Sequence, residues 1–322
     1  MPNQKNTIKL TSPQIFTPKE LLDEVIPLIQ ERGTKPELPT GIDPLDKHLW
    51  GLRRKSVTVV SGRPAEGKSS MVGQIAWNLA LMGKRVIYLS IEMSREEIVE
   101  RYLCSYCEIN SDDLRKGVLP SDFDEKVERF RIIWESMNMR IINYGRDLAQ
   151  LRQVFEMFKD VPDVLVIDHI QRISGTGFQE RRDAITEYMN TLEGISQTYN
   201  MAVLVASQLN RDTKKQKDSR PTIENLKESG SLEETGATVL MLHWPGKDAE
   251  ATDPGKWDFR VIIGKQRSGP SGIEIPLEYQ AYFYRFRWPE SNATEWKAPE
   301  NGSQPIRDIT ESKTAQQESL PF

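Results

Sequence analysis

Apolar positions along this chain follow two periods, and their alternation predicts the fold. Short runs rich in Val, Ile and Leu occur at Ser56–Val60, Arg85–Glu92, Met139–Ile142, Val164–Asp168 and Met201–Ser207. Between them the apolar residues switch to helical spacing, over Met71–Met82, on toward Cys107, and over Ser121–Met137, Leu148–Phe158 and Glu180–Tyr199. Strand and helix repeated in this order predict parallel strands joined by crossover helices, hence an α/β fold whose mostly parallel central sheet is covered on both faces. The pattern then changes. Thr238–His243, Phe259–Gly264, Ile273–Leu277 and Tyr282–Phe286 read as strands joined by short turns, a β-rich C-terminal end.

Both flanks depart from this pattern. Residues 1–16 are polar and aperiodic, which predicts a flexible arm. Thr17-Pro18-Lys19-Glu20 then forms a capping box with Pro at the first helical position, opening a helix over 17–33 whose Leu21, Leu22, Val25, Ile26, Leu28 and Ile29 share helical spacing. Pro27 is expected to kink or shorten that helix and Gly33 to end it. So apolar a helix, set off from the main pattern by Thr34–Thr40, needs a cover, either on its own chain or on a neighbouring subunit. Beyond Pro289 the composition turns to Ser, Pro, Glu and Gln, predicting a disordered tail over 290–322 that closes on Gln317-Glu318-Ser319-Leu320-Pro321-Phe322.

The first strand runs directly into Gly62-Arg63-Pro64-Ala65-Glu66-Gly67-Lys68-Ser69, the spacing of a phosphate-binding loop, with Ser70 continuing into the next helix. Gly62 and Gly67 let the backbone turn tightly enough for its N–H groups to converge on a phosphate, and the helix opening at Lys68 directs its positive end there. Lys68 is then placed for the β- and γ-phosphates of ATP and Ser69 for Mg2+. A Gly-rich turn with no nucleotide is the structural alternative, but it does not call for a strand before the turn and a helix after it.

Ligands of such sheets bind beyond the carboxyl ends of the strands, which directs attention to the polar residue closing each run. Val164–Asp168 ends in a carboxylate suited to positioning Mg2+, or else to capping the next helix. Val86–Glu92 ends in Glu92, placed to polarise an attacking water. Met201–Gln208 ends in the uncharged amide of Gln208, able to contact the γ-phosphate and report its loss.

Composition narrows the partners without changing the fold. The net charge of −4 argues against coating of nucleic acid by overall basicity, though it leaves room for a local basic channel. Arg211–Arg220 is the densest basic stretch, and it reads equally as a contact loop or as solvated surface. No segment has the run of apolar residues needed to cross a bilayer, and no leader is evident, so a cytoplasmic protein is expected. The only cysteines, Cys104 and Cys107, lie in an apolar helical run and read as core residues, since a zinc site would need ligands that the three scattered histidines do not supply.

Taken in order, Leu89-Ser90-Ile91-Glu92-Met93-Ser94, Val166-Ile167-Asp168-His169-Ile170-Gln171, Ser207-Gln208-Leu209-Asn210-Arg211, Asn225–Glu233 and Ile263–Pro270 resemble the successive motifs of the RecA-like P-loop ATPase domain of DnaB-type replicative helicases. The resemblance runs from about Thr40 to Phe286, so that 34–289 is expected to be the ATPase domain. It implies that Lys265 and Arg267 reach the ATP site of a neighbouring subunit, Arg267 as an arginine finger, and that Lys227, Glu228 and Gly230 bind single-stranded DNA in a central channel. It further implies a homo-oligomer, a hexamer, translocating 5′ to 3′ on single-stranded DNA, with a loader and a primase as further partners. A recombination or regulatory ATPase of RecA-like build would use the same ATP residues without unwinding. The family often has Ala where this chain has Gly62. Its helical amino-terminal domain has no counterpart here, which suggests a motor of phage or mobile-element type, and the helix over 17–33 falls where the family's linker helix packs on the adjacent subunit. The tail resembles two kinds of docking peptide, the Gln-x-x-Leu-x-Phe of sliding-clamp ligands and the acidic, Pro-Phe-terminated tip of single-strand-binding proteins.

Overall fold

The computed structural model describes residues 17–30, 36–143, 161–172, 181–209, 220–245 and 259–288. The expected helix Leu148–Phe158, most of the basic stretch and the carboxyl tail lie outside these residues. Two compact units divide the chain, Met1–Glu37 and Leu38–Phe322.

The first unit contains helix α1 (Pro18–Gln30). Its capping box forms as the sequence requires: the Thr17 N–H donates to Glu20 Oε2 at 2.7 Å and the Glu20 N–H to Thr17 Oγ1 at 3.3 Å. Pro27 lies inside the helix, which continues to Gln30, so the proline does not end it there. Leu21, Leu22, Val25, Ile26 and Ile29 are all exposed, from 40% to 60%.

The second unit is built on a nine-stranded sheet, β1 (Ser56–Gly62), β2 (Val86–Ser90), β3 (Met139–Asn143), β4 (Val164–Asp168), β5 (Ala202–Gln208), β6 (Thr238–His243), β7 (Phe259–Gln266), β8 (Ile273–Gln280) and β9 (Arg285–Arg287), in the order β3-β2-β4-β5-β1-β6-β7-β8-β9. The first six strands are parallel and β7, β8 and β9 antiparallel, as the change of pattern predicts. Helix α2 (Asp43–Leu49) precedes β1, and the crossovers bring in α3 (Lys68–Leu81), α4 (Arg95–Cys107), α5 (Ser111–Arg115), α6 (Phe123–Ser136), α7 (Arg181–Thr198) and α8 (Gly230–Thr235).

Successive strand residues face opposite sides, and the core divides accordingly. Val60, Val164, Val166 and Leu204 pack with Met71, Ile75 and Trp77 of α3 and, further out, Tyr102 and Phe130. Val57, Val59, Leu165, Ile167 and Val203 pack with Tyr188, Met189 and Leu192 of α7. Cys104 and Cys107 are buried in the first of these layers' helices, and burial pushes both thiols up to about 11, in keeping with core cysteines.

Two predicted strands differ notably in their bounds: β2 stops at Ser90, so Glu92 lies two residues beyond it instead of closing it, and the run Tyr282–Phe286 is mostly not a strand. Ala281–Phe283 is a 3₁₀ turn, Tyr284 has φ 50°, and only Arg285–Arg287 pairs, opposite Glu278–Gln280. The aromatic residues Tyr282 and Phe283 imitate a strand in the sequence while serving the turn between β8 and β9.

Candidate active site

Strand β1 ends at Gly62, Arg63–Gly67 form the loop, and α3 starts at Lys68. Gly67 has φ +74° and is covered by a stacked pair: a Cβ there would lie 3.0 Å from Phe286 Cζ and 3.2 Å from Tyr279 Cζ, and the two rings are 4.4 Å apart. Ser70 Oγ lies 2.8 Å from the Tyr279 hydroxyl, and the Gln74 amide exchanges two hydrogen bonds with the Phe286 backbone. The antiparallel end of the sheet therefore braces the phosphate loop from behind. Gly62, by contrast, has an ordinary φ, and its added Cβ would meet Leu242 Cβ on β6 at 3.2 Å and the side chains of Glu66 and Lys68 at 3.3 Å, which asks for shifts of a few tenths of an ångström but no change of backbone region. Gly67→Ala is expected to lose about 1–2 kcal/mol to the left-handed backbone alone, and more to displaced aromatic rings, whereas Gly62→Ala should stay near the parent. Thermal midpoints and nucleotide titration of the two variants check this contrast.

Within the loop, the Arg63 N–H donates to Glu66 Oε2 at 2.6 Å and Lys68 Nζ to the Arg63 carbonyl at 2.8 Å. Glu66 is buried despite its charge. Ser69 Oγ donates to Asp168 Oδ1 at 3.0 Å, and the Tyr88 hydroxyl holds the other carboxylate oxygen at 2.8 Å. Burial pushes the Asp168 carboxyl above its ordinary value against these two hydrogen bonds and the nearby charges of His169 and Arg101. The donors here are all oxygen, the set a hard cation such as Mg2+ takes when one or two protein oxygens are completed by substrate phosphates and water.

Three neighbouring strands complete the site. Ser90 pairs with Asp168 across β2 and β4, and Glu92 lies just past that pair. Its Oε1 is 2.6 Å from Arg172 Nη2 and its Oε2 is 2.8 Å from His169 Nδ1. Burial pushes the Glu92 carboxyl up, but the Arg172 hydrogen bond and the charges of His169, Arg172 and Lys68 outweigh it and leave the group below its ordinary value. Gln208 pairs with Gly62 across β5 and β1. Gln171 fixes its backbone, accepting from the Gln208 N–H at 2.9 Å and donating to Ser207 Oγ at 2.6 Å. Gly62, Lys68, Ser69, Glu92, Asp168 and Gln208 thus meet at the carboxyl ends of β1, β2, β4 and β5.

Lys265 and Arg267 do not join them. β7 runs antiparallel, so its last residues return to the amino ends of the parallel strands: Gln266 pairs with Thr238, and Thr238 with Thr58. The Arg267 N–H donates to the Ala237 carbonyl, and the Ala237 N–H to that of Val57. Gly62 is four residue steps along β1 from Thr58, roughly 13 Å of strand. Lys265 Nζ donates to the Glu233 and Glu234 carbonyls of α8, and Arg267 lies 3.6 Å from Glu193 of α7. Lys227 and Glu228 fall in the 3₁₀ helix Ile223–Ser229, and Gly230 opens α8.

Sequence reasoning passed over Tyr88, His169, Gln171, Arg172 and Tyr279. Tyr88 reads as an ordinary core residue of β2, and Tyr279 as one of β8. His169, Gln171 and Arg172 did carry a signal, being the polar side chains that follow directly on Asp168.

Residues 37–288 match a family model described as the DnaB-like helicase C terminal domain. Over 278 residues the chain is 29% identical to the replicative DNA helicase DnaB of Geobacillus stearothermophilus, covering 82% of this chain and 59% of that one. It is 32% identical over 237 residues to a probable plasmid replicative DNA helicase of Chlamydia psittaci, covering 72% and 51%. The chain therefore spans between half and three fifths of these relatives' lengths. A solved DnaB-like replicative helicase, described with its interactions with primase, superposes with a TM-score of 0.75 at 23% identity, covering 84% of this chain and 68% of that one. A solved ATPase domain gives 0.76 at 22% identity, covering 85% and 99%. These likenesses establish the RecA-like fold, with its parallel sheet and antiparallel carboxyl end.

Proposed function

The chain belongs to the family of DnaB-like helicase C-terminal domains, and from that premise we propose that it is the ATP-hydrolysing motor of a ring-forming replicative DNA helicase. The observation that carries this reading is the separation of the ATP machinery between two ends of one sheet. The phosphate loop, Glu92, Asp168 and Gln208 lie at the carboxyl ends, while Lys265 and Arg267 lie roughly 13 Å of strand away, at the amino ends. A finger that cannot bend back to its own phosphate loop suits a ring in which each subunit completes its neighbour's site.

Each residue then has a role. Backbone N–H groups of Ala65–Ser70 cradle the phosphates, Lys68 neutralises their charge, and Gly67 gives the loop its turn. Ser69 and Asp168 hold Mg2+, which when bound spreads the negative charge of the β- and γ-phosphates. Glu92 accepts the proton of the attacking water. Gln208, at the end of β5 and braced by Gln171, senses the loss of the γ-phosphate. Lys265 links the neighbour's ATP site to α8, the helix that follows the DNA-contacting Lys227 and Glu228.

The proposed partner is single-stranded DNA held by its backbone, with little base recognition. Lys227→Ala is expected to weaken binding of all sequences alike and to make the salt slope shallower by about 0.7, the share of one neutralised phosphate on a single strand. Titrations of homopolymers across a salt series check both; weakening confined to one sequence would remove Lys227 from the backbone. Helix α1 is proposed to lay its exposed apolar stripe on the adjacent subunit, as a linker helix does. Gln317–Phe322 is proposed as a docking peptide for the sliding clamp or for the targets of the single-strand-binding tip, and extension beyond Phe322 should abolish only the second. A loader and primase complete the proposed assembly, in a bacterial or phage-infected cytoplasm.

Strand displacement on a forked duplex tests the whole reading. ATP-dependent unwinding that requires a 5′ single-stranded tail is expected. DNA-stimulated hydrolysis with no displacement would instead favour a recombination or regulatory ATPase of the same fold.

A further inference from the structure

We propose that Arg172 is a positioning residue that restrains Glu92 in the resting chain, and that the turn carrying it couples release of Glu92 to Gln208. The inference rests on the reading of Glu92 as the base.

The two residues lie far apart in sequence and follow different strands, and both oxygens of Glu92 are taken: Oε1 by Arg172 Nη2 at 2.6 Å and Oε2 by His169 Nδ1 at 2.8 Å. Side-chain exposure is 46% for Arg172 and 42% for Glu92. At that exposure an ion pair contributes little to folding. Its geometry is nevertheless that of a short, charge-assisted hydrogen bond. A pair that does little for stability but fixes the orientation of the proposed base and stabilises its ionised form acts on the chemistry. Arg172 and His169 together also leave Glu92 below its ordinary carboxylate value, a poorer base than a free glutamate.

The restraint and the proposed phosphate sensor share one turn. Ile170–Arg172 is a single 3₁₀ turn following β4. Its Gln171 holds the Gln208 N–H at 2.9 Å and the Gln208 carbonyl at 3.2 Å, while the next residue, Arg172, holds Glu92. Ile170 is fully buried among the α7-side core, so the turn is anchored at its start and grips both groups at its end. A change at Gln208 therefore reaches the Arg172–Glu92 pair through adjacent residues.

The test compares the full chain with Arg172→Leu, Arg172→Gln and Arg172→Lys. The two uncharged variants are expected to raise DNA-free ATPase kcat by roughly three- to tenfold with KM unchanged, and to narrow the stimulation by DNA. Arg172→Lys should restore most of the restraint. Thermal midpoints equal to the parent separate this from damage to the fold. A kcat that stays level or falls in both uncharged variants overturns the proposal, and so does an equal rise in Arg172→Lys, which would show that charge is not the agent. Glu92→Gln is measured alongside. If that variant still hydrolyses ATP, it is the base assignment that fails; if it is inactive and Arg172→Leu matches the parent, only the restraint fails.

Discussion

Arg267→Ala should bind ATP almost as the parent does and hydrolyse it on the order of 10³-fold more slowly or worse, the effect of removing an arginine finger. The expectation follows from strand direction. β7 returns Arg267 to the amino end of the sheet, beside Ala237 and Val57, where it cannot meet the phosphates held at Gly62 on the same chain. Its guanidinium lies 3.6 Å from Glu193, an exposed pairing that a neighbour's phosphates can replace at little cost. Lys68→Ala should fail differently, at phosphate binding itself. Mixing the two inactive variants forms some interfaces with Lys68 on one side and Arg267 on the other, so part of the ATPase should return. Mixed assemblies that exchange subunits and stay inactive would place the finger's action within one chain.

How far the sequence carries this picture depends on whether a residue's role is local. The β-branched runs at Val57–Val60, Val164–Ile167 and Val203–Val205 specify strands buried on both faces, and the spacing from Gly62 to Ser69 specifies the loop, because each depends on neighbours in the chain. Asp168 and Gln208 are legible as the polar ends of apolar strands, and Glu92 as the first carboxylate past the end of β2. Tyr88 is not, since its hydrogen bond to Asp168 joins two strands whose adjacency no pattern within either one encodes. The same is true of the Tyr279–Phe286 stack over Gly67, formed by residues more than two hundred positions beyond the loop. For Lys265 and Arg267 the family resemblance alone implies action on a neighbour. What the antiparallel register of β7 adds is that both residues lie at the opposite end of the sheet from their own chain's phosphate loop. Tyr282–Phe286 fails for the opposite reason: aromatic content favours strands, but a residue at φ 50° breaks the run at Tyr284.

The second large effect is expected at Glu92. Glutamine in its place keeps the length and one accepting oxygen of the side chain but cannot take a proton at neutral pH, so Glu92→Gln should lower kcat by about 10²–10⁴. Nucleotide affinity should hold, because the phosphate loop with Lys68 and the Ser69–Asp168 pair stay in place: Lys68 is tied to the Arg63 carbonyl and Ser69 to Asp168, neither through Glu92. The variant should therefore accumulate with ATP bound and remain on single-stranded DNA without moving. Lys68→Ala, by contrast, should bind both ATP and ADP more weakly. Single-turnover hydrolysis together with equilibrium nucleotide binding distinguishes the two. A Glu92→Gln chain that turns over near the parental rate would assign proton acceptance to another group. Asp168 is poorly placed to be that group, because its side chain is buried against Ser69 and Tyr88, out of reach of an entering water, and burial disfavours its charged form. Glu66 is no better, since its carboxylate is turned into the loop to receive the Arg63 N–H. Of the three carboxylates described around the loop, Glu66, Asp168 and Glu92, it is Glu92 whose side chain reaches solvent, and the attacking water has to come from there.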